Sequence, residues 1–511
     1  MTNTKSVGGV QYQDVGDGYF EKRTLKRSAG FWGIWGLGVA AVISGEFSGW
    51  NLGMAQAGFG GMAIATAIVI VMYFTMLFSI GEMSAALPHT GGAYSFARAA
   101  MGPWGGFITG LAETIEYVMT TAVIVYFAAQ YANGALQIFF GFQVAPFIMW
   151  FILYALFIGV NALGAAVGFR LAIVVSVLSI AILVVFVIVA FTTGSFQVAK
   201  LWDVVVTDGN STFLPNGFGP VLLVIPFAMW FFLGIEELPL AAEETKNPQR
   251  DIPRAGIVAL LTLLVAAVAI FIVNTGVNGA TAIAASGQPL LDGFALLVPP
   301  ALAGLLAIFA LVGLLASLQG IMFAYARNMY SLSRAGYYPK FLSLTGTKRQ
   351  TPVNALLVGA VIGYVALIVI DRTAVIGGTA ANIAGSVVLN IAIWGAVLSY
   401  VMQMASFVIL RRRFPKANRP YVSPTGVAGA VIAGIIAVVI FVAFLFNPGY
   451  QIAIAGIAIV YVIGLIIFGV WGRKRLVLSP EEEFALSGGA HGDPQKEGYD
   501  AMEKEVFGDT K

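Results

Sequence analysis

The chain has 511 residues, of which 59% are hydrophobic and 10% charged, and its mean hydropathy is +0.87. Soluble domains carry about 25% charged residues, so a chain this poor in charge cannot cover a soluble surface and reads as one membrane domain with polar ends. Cysteine is absent and histidine occurs only at His89 and His491, which excludes disulfides, thiolate metal sites, cysteine nucleophiles and a histidine relay. The net charge of +3 is spread without a nucleic-acid stripe.

A helix needs ~20 apolar residues to cross the hydrocarbon layer. After a polar tail at 1–28, twelve segments qualify. Spans 1 to 6 cover roughly 31–54, 61–86, 104–133, 145–163, 168–193 and 219–243; spans 7 to 12 cover roughly 253–276, 299–330, 352–370, 380–410, 425–446 and 450–472. A polar tail follows at 476–511, and 29–475 is expected to form the transport domain. Twelve spans put both ends on one side. With that count 26 of the 28 Lys and Arg residues fall on one face, only Lys200 and Arg372 lying opposite. The excess of Lys and Arg marks a cytoplasmic face, so both tails are expected there, on a multi-pass protein of the plasma membrane.

Span 1 carries Ser44-Gly45-Glu46-Phe47-Ser48-Gly49-Trp50-Asn51, a patch of glycine, serine and charge at mid-depth. Span 6 carries a matching patch, Trp230-Phe231-Phe232-Leu233-Gly234-Ile235-Glu236-Glu237-Leu238-Pro239. Open backbone inside a bilayer is tolerated only beside a protein-lined cavity. Interrupted helices at corresponding places of two halves point to an inverted-repeat transporter.

Between the two patches, span 3 adds Glu113 and Glu116, three residues apart and so on one helix face. Five acids, Glu46, Glu113, Glu116, Glu236 and Glu237, thus lie inside spans with no Lys, Arg or His at comparable depth. An acid at the membrane centre costs ~2.5–3.5 kcal/mol on insertion scales. Such a set must be protonated, meet water, or await a mobile cation: an amine, a proton or a metal ion. Phe47, Trp50, Trp230, Phe231 and Phe232 flank the breaks, and ring faces attract ammonium groups by ~0.5–2 kcal/mol. Glu82, near the cytoplasmic end of span 2, reads as structural. Glu236 and Glu237 also have a plainer reading, as capping acids at the start of a half-helix.

A channel would need a selectivity loop or charged rings, and neither is visible. An enzyme would need more than clustered acids for acid–base chemistry, so none is expected.

Several motifs carry a resemblance. Glu82-Met83, Pro88-His89-Thr90-Gly91-Gly92-Ala93-Tyr94 and Ala242-Glu243-Glu244-Thr245-Lys246-Asn247-Pro248-Gln249-Arg250-Asp251-Ile252-Pro253-Arg254 resemble the amino acid–polyamine–organocation superfamily. Tyr19-Phe20-Glu21-Lys22-Arg23, Ile43 to Asn51 and Gly102-Pro103-Trp104-Gly105-Gly106-Phe107 are most similar to its ethanolamine permease subfamily. The resemblance implies an all-α membrane fold of five-plus-five inverted repeats, about 30–195 and 218–411, with broken helices 1 and 6 and peripheral helices 11 and 12 at about 425–472. It also implies alternating access, with an aromatic gate at Trp230 and coupling through Glu236; Ile115-Glu116-Tyr117 resembles a span 3 motif near the substrate in cationic amino acid carriers. Amino acid carriers of the superfamily have a Gly-Ser-Gly turn whose amides hold a carboxylate, where this chain has Gly49-Trp50-Asn51. The indole and Glu46 suit an amine without an acid group, and Asn51 could bond a hydroxyl. A lysine found in span 5 of some proton-coupled members is replaced here by about Ser179, and Ser179 with Ser317 could leave room for sodium or water.

The expected activity is therefore import of a small amine cation, ethanolamine first, by proton symport, with sodium as the other coupling ion. The expected substrate-binding set is Glu46, Phe47, Gly49, Trp50, Asn51, Glu116, Trp230, Phe231, Glu236 and Glu237, with Glu116, Glu236, Ser179 and Ser317 as coupling candidates. An amino acid or polyamine permease or exchanger, or a potential-driven amine uniporter, is the alternative.

Overall fold

The computed structural model describes residues 5–7, 9–13, 15, 18–376, 383–415, 417–446 and 451–487. The first residues expected for spans 10 and 12, Lys416, and the tail beyond 487 with His491, Lys496, Lys504 and Lys511 lie outside the described residues.

Among the described residues the chain is almost wholly helical, its strands being one short hairpin, Lys5–Val7 with Val10–Tyr12. Nine helices of the described residues are long and apolar enough to cross a membrane, and three shorter apolar ones, Phe31–Phe47, Pro146–Ala162 and Gly219–Met229, bring the number there to the expected twelve. Two of the three short ones open the spans read as broken. Span 2, Met54–Ala86, and span 3, Gly92–Phe140, are each bent at a glycine, Gly58 and Gly102. The bend at Gly102, followed by Pro103, separates an entry helix from the membrane-crossing part of span 3, where the sequence places the start at 104. Proline opens spans 4, 7 and 8 at Pro146, Pro248 and Pro300, where its missing N–H is not needed.

Spans 3, 8 and 10 form the middle of the bundle, span 3 packing along both partners. Span 1 leans on spans 5, 7 and 8, and the first half of span 6 on span 2. Span 12, Gln451–Val470, has only 17% of its apolar window buried, which matches its expected place at the rim. Leu, Val and Ile side chains such as Val265, Ile435 and Ile466 cover the outer surface. Trp32, Trp104 and Trp471 stand exposed near the arginine-rich end, where indoles suit a membrane interface.

The polar end segments are packed where described: Tyr12 and residues 476–483 are buried against the arginine-rich end of the bundle. Gln13 N–H donates to Leu476 O and Leu476 N–H to Gln11 O, joining the two ends of the chain.

Candidate functional site

The two interrupted helices meet at their breaks. Span 1 runs as helix over Phe31–Val42, makes one more turn at Ser44–Phe47, is extended at Ser48, and resumes as a 3-10 turn at Trp50–Gly53. Span 6 ends its first half at Met229 and resumes at Ile235–Glu244. Gly45 permits the crossing, since a Cβ there would lie 2.3 Å from Trp230 O. Gly49, at φ 99°, sits under the Trp230 indole, 2.7 Å from where its Cβ would be. The indole Nε1–H donates to Ser48 O at 2.9 Å, so span 6 satisfies backbone that span 1 leaves open. From span 8, Ser317 accepts from Ser44 N–H at 2.8 Å and donates to Ala40 O at 2.7 Å.

The acids fall into three groups. Glu113 is settled by neutral donors, Tyr117 Oη–H at 3.2 Å and Asn328 Nδ2–H at 3.1 Å. Glu116, Glu236 and Glu237 form a cluster between span 3 and the restart of span 6. Glu236 takes the Gly234 N–H on both oxygens, at 3.1 and 3.2 Å, and is also bonded by Tyr400 of span 10, whose hydroxyl lies 3.1 Å from that of Tyr73. The Glu116 and Glu236 carboxyls are near enough to act on one another. No N–H or hydroxyl serves Glu116, and none serves Glu237. Two ionised carboxylates cannot bond one another, because neither has a hydrogen to give. A proton or a cation placed between the two carboxyls would satisfy both.

Glu46 stands apart. It is fully buried, neither oxygen has a hydrogen-bond partner, and no other charged group acts on it appreciably. The four acids thus divide into a cluster and a single carboxyl. None of these four acids has a Lys or Arg partner among the described residues.

Other expected site residues have structural work. Asn51 is spent on the loop between spans 7 and 8: its Nδ2 donates to Ile283 O and Ser286 O at 2.6 and 2.8 Å, and its Oδ1 accepts from Gly49 N–H. It ties that loop over the break and has no donor left for a substrate hydroxyl. Phe47 O accepts from Tyr131 Oη–H at 2.7 Å while Leu290 N–H donates to the same hydroxyl, which fastens the same loop to spans 1 and 3. The Phe47 ring lies against Gly313 of span 8. Trp50 stacks on Phe231 at 5.4 Å and meets Phe271 edge-on, an aromatic layer on the same side of the break. Ser179 bonds its own helix at Val175 O, and Ser317 clamps span 1, so both hydroxyl protons are committed. Glu82 accepts from Arg411, Arg419 and Ser423 N–H and ties span 2 to the end of span 10, the structural part read for it.

Tyr73 and Tyr400 were not read from the sequence. A phenol inside an apolar span needs a partner for its hydroxyl, and that was the available signal. Tyr131 carried the same signal.

A membrane bundle whose two interrupted helices enclose unpaired acids is the architecture of a secondary transporter rather than of an enzyme. The family model described as "Amino acid permease" matches residues 33–479; the chain belongs to that family. The branched-chain amino acid permease of Bacillus subtilis is 26% identical over 90% of this chain and 96% of its own length. An uncharacterized transporter of Rhizobium meliloti is 26% identical over 76% of this chain and 81% of its own. An aromatic amino acid transport protein of Escherichia coli is 25% identical over 64% and 68%. Among solved structures, a nucleobase-cation-symport-1 family transporter closed around bromovinylhydantoin matches with a TM-score of 0.47 at 14% identity, covering 84% of this chain and 97% of that one.

Proposed function

We propose that this permease imports a small organic amine, ethanolamine being the first candidate, across the plasma membrane by alternating access of two inverted repeats, with its arginine-rich end in the cytoplasm and a proton as the coupling ion. One observation carries the reading: Glu116, Glu236 and Glu237, with Glu46 apart from them, are buried and without a resident basic partner. The amine takes the cluster, where its ammonium replaces the hydrogen that the Glu116–Glu236 pair needs, and Tyr400 and Tyr73 orient the pair. The proton takes Glu46, the acid that no other charge touches. Two separate acid sites let both cations travel in the same direction, which one shared site would not. Trp230, bonded across the break, closes the amine site from the side of Gly49.

A primary amine titrates near ~10.4, like Lys, and so enters as a cation. One charge moving down the membrane potential yields ~2.3 kcal/mol per 100 mV, enough for roughly 40-fold accumulation at ~1.4 kcal/mol per tenfold. A co-transported proton raises that limit.

The named relatives carry branched-chain and aromatic amino acids, and an amino acid substrate is the second reading. It requires the carboxylate of such a substrate to lie among unpaired acids without a basic partner. A thermal-shift screen decides between the two. Ethanolamine should raise the melting temperature saturably while isoleucine, phenylalanine and putrescine do not; stabilisation by isoleucine with no response to ethanolamine would overturn the amine reading.

A further inference from the structure

The arginine-rich end holds a set of contacts that substrate binding does not use. Two arginines of span 8 pin the second half of broken span 6: Arg327 grips Glu244 at 2.8 Å, and Arg334 grips Glu243 at 2.6 Å. A third acid joins them from the far end of the sequence. Glu481, in the short helix Pro480–Ser487, shares Arg334 Nη2 with Glu243 and accepts from Ser331 Oγ–H at 2.7 Å. Its neighbour Glu482 is a hub. It accepts from Arg98 and Tyr94 at the start of span 3, from Tyr337 just past span 8, and from Tyr12 of the N-terminal hairpin, at 2.8, 3.3, 2.8 and 2.6 Å.

Both acids are buried, at 1% and 0% exposure, in a stretch that composition alone marks as polar tail. Burying charge is costly unless each charge is paired and bonded, so a solvated tail would not settle here without specific partners. The docking is also built into the backbone. Val477 N–H donates to Ala335 O at 2.9 Å, and Gly336, at φ 87°, would place a Cβ 2.4 Å from Arg475 O. Only glycine admits the strand at that point.

The contacts join parts that alternating access must separate. Glu243 belongs to the broken end of span 6. Tyr12 belongs to the leader of span 1, which is tied further to span 8 by Tyr330 on Arg23 O and to the turn past span 8 by Arg23 on Ser343 and Lys340 O. Arg98, Ser331 and Arg334 belong to spans 3 and 8, and Tyr337 to the segment just past span 8. We propose that residues 476–483 are a working part of the cytoplasmic gate: Glu481 and Glu482 latch the leader of span 1 and the broken end of span 6 to spans 3 and 8, and opening to the cytoplasm requires this segment to leave. Glu481 and Glu482 are thus positioning residues of the transport cycle that touch no substrate.

This rests on the alternating-access reading and on its assignment of the cytoplasmic face, but not on the identity of the substrate. The chain has no cysteine, which makes a spin-label test direct. Cysteines are introduced at Gln249, exposed at the start of span 7, and Phe341, exposed past span 8, and the distance distribution between labels is measured in the full chain without substrate. Glu481→Gln, and separately deletion of residues 476–511, should raise the population of the longer, open distance at least about tenfold, or ~1.4 kcal/mol. Glu481→Asp should keep the closed distribution, and a synthetic peptide of residues 476–487 should restore it to the deleted protein. If both variants fold, as their helical circular dichroism would show, and keep the closed distribution, the latch is wrong. If Glu481→Gln fails to fold, the deletion with and without peptide decides the matter by the same readout. A failed ethanolamine screen would leave this distance measurement untouched.

Discussion

The middle and the arginine-rich end of this bundle treat the same side chain in opposite ways. At the arginine-rich end Glu82, Glu244, Glu243, Glu481 and Glu482 each meet an arginine. Among the described residues, Glu46, Glu116, Glu236 and Glu237 in the middle meet none. Burial is equally deep in both places for Glu482 and Glu46, each at 0% exposure. Burial therefore does not distinguish the two places; the presence of a resident counter-ion does. A paired acid holds two elements together, and under the proposed function an unpaired one is held ready for a cation that comes and goes.

Four measurements break or sharpen that contrast. The largest expected effect is on the paired side. Glu82→Ala strands Arg411 and Arg419 and should cost ~3 kcal/mol of stability, at the lower end for a broken buried pair because Arg411 keeps 26% exposure. Ethanolamine affinity of the surviving fold should stay unchanged; a stable protein that no longer binds would place Glu82 in the site. On the unpaired side, Glu236→Gln should weaken ethanolamine binding by roughly 10- to 100-fold, the worth of a charge-assisted hydrogen bond at ~1.5–3 kcal/mol. The thermal stability of the empty protein should hold or rise, because one costly buried acid has gone. A loss of stability equal to that of Glu82→Ala would erase the distinction.

Glu46→Gln should separate the two acid sites. Ethanolamine should still bind, while accumulation in proteoliposomes should lose its response to a pH gradient, a factor of about tenfold per pH unit or ~1.4 kcal/mol. Loss of binding together with coupling would return Glu46 to the amine site. The smallest effect concerns the latch. Burial works against the charge of Glu481, but Arg334 and His89 overcome it and hold the carboxyl down at about 2. A carboxyl depressed from an ordinary value near 4.5 contributes its stabilisation above that value and loses it as pH falls through about 2. Glu481 with Glu243 and Arg334 around it thus stays charged at neutral and mildly acid pH. Removing it by Glu481→Gln should leave the pH dependence of ethanolamine uptake unaltered in shape, and a shifted pH profile would implicate this end of the molecule in proton coupling.

Much of the fold was legible because a bilayer imposes one long-wavelength rule, about 20 apolar residues per crossing. The breaks at Ser44 to Asn51 and at Trp230 to Glu237 were legible for the same reason: glycine and charge in the middle of a span contradict it. The acids could be counted, and their lack of basic neighbours at the same depth followed from composition. Their grouping could not. Glu46 and Glu236 look alike in the sequence, each beside a break, yet Glu236 meets Glu116 and Tyr400 while Glu46 faces no charge. Asn51 looked free to bind a hydroxyl, but the loop carrying Ile283 and Ser286 reaches it only in three dimensions.

The sequence by itself determined the membrane class, the number of crossings, the two interruptions and the excess of unpaired acid, because each follows from local composition measured against the thickness and polarity of the bilayer. The tertiary structure decided which acids share a site, which hydroxyls and amides are already spent, and that Glu481 and Glu482 close on Arg334 and Arg98. Those partners lie 147 and 384 residues away, and at such separations pairing is set by how the helices pack, which no run of neighbouring residues encodes.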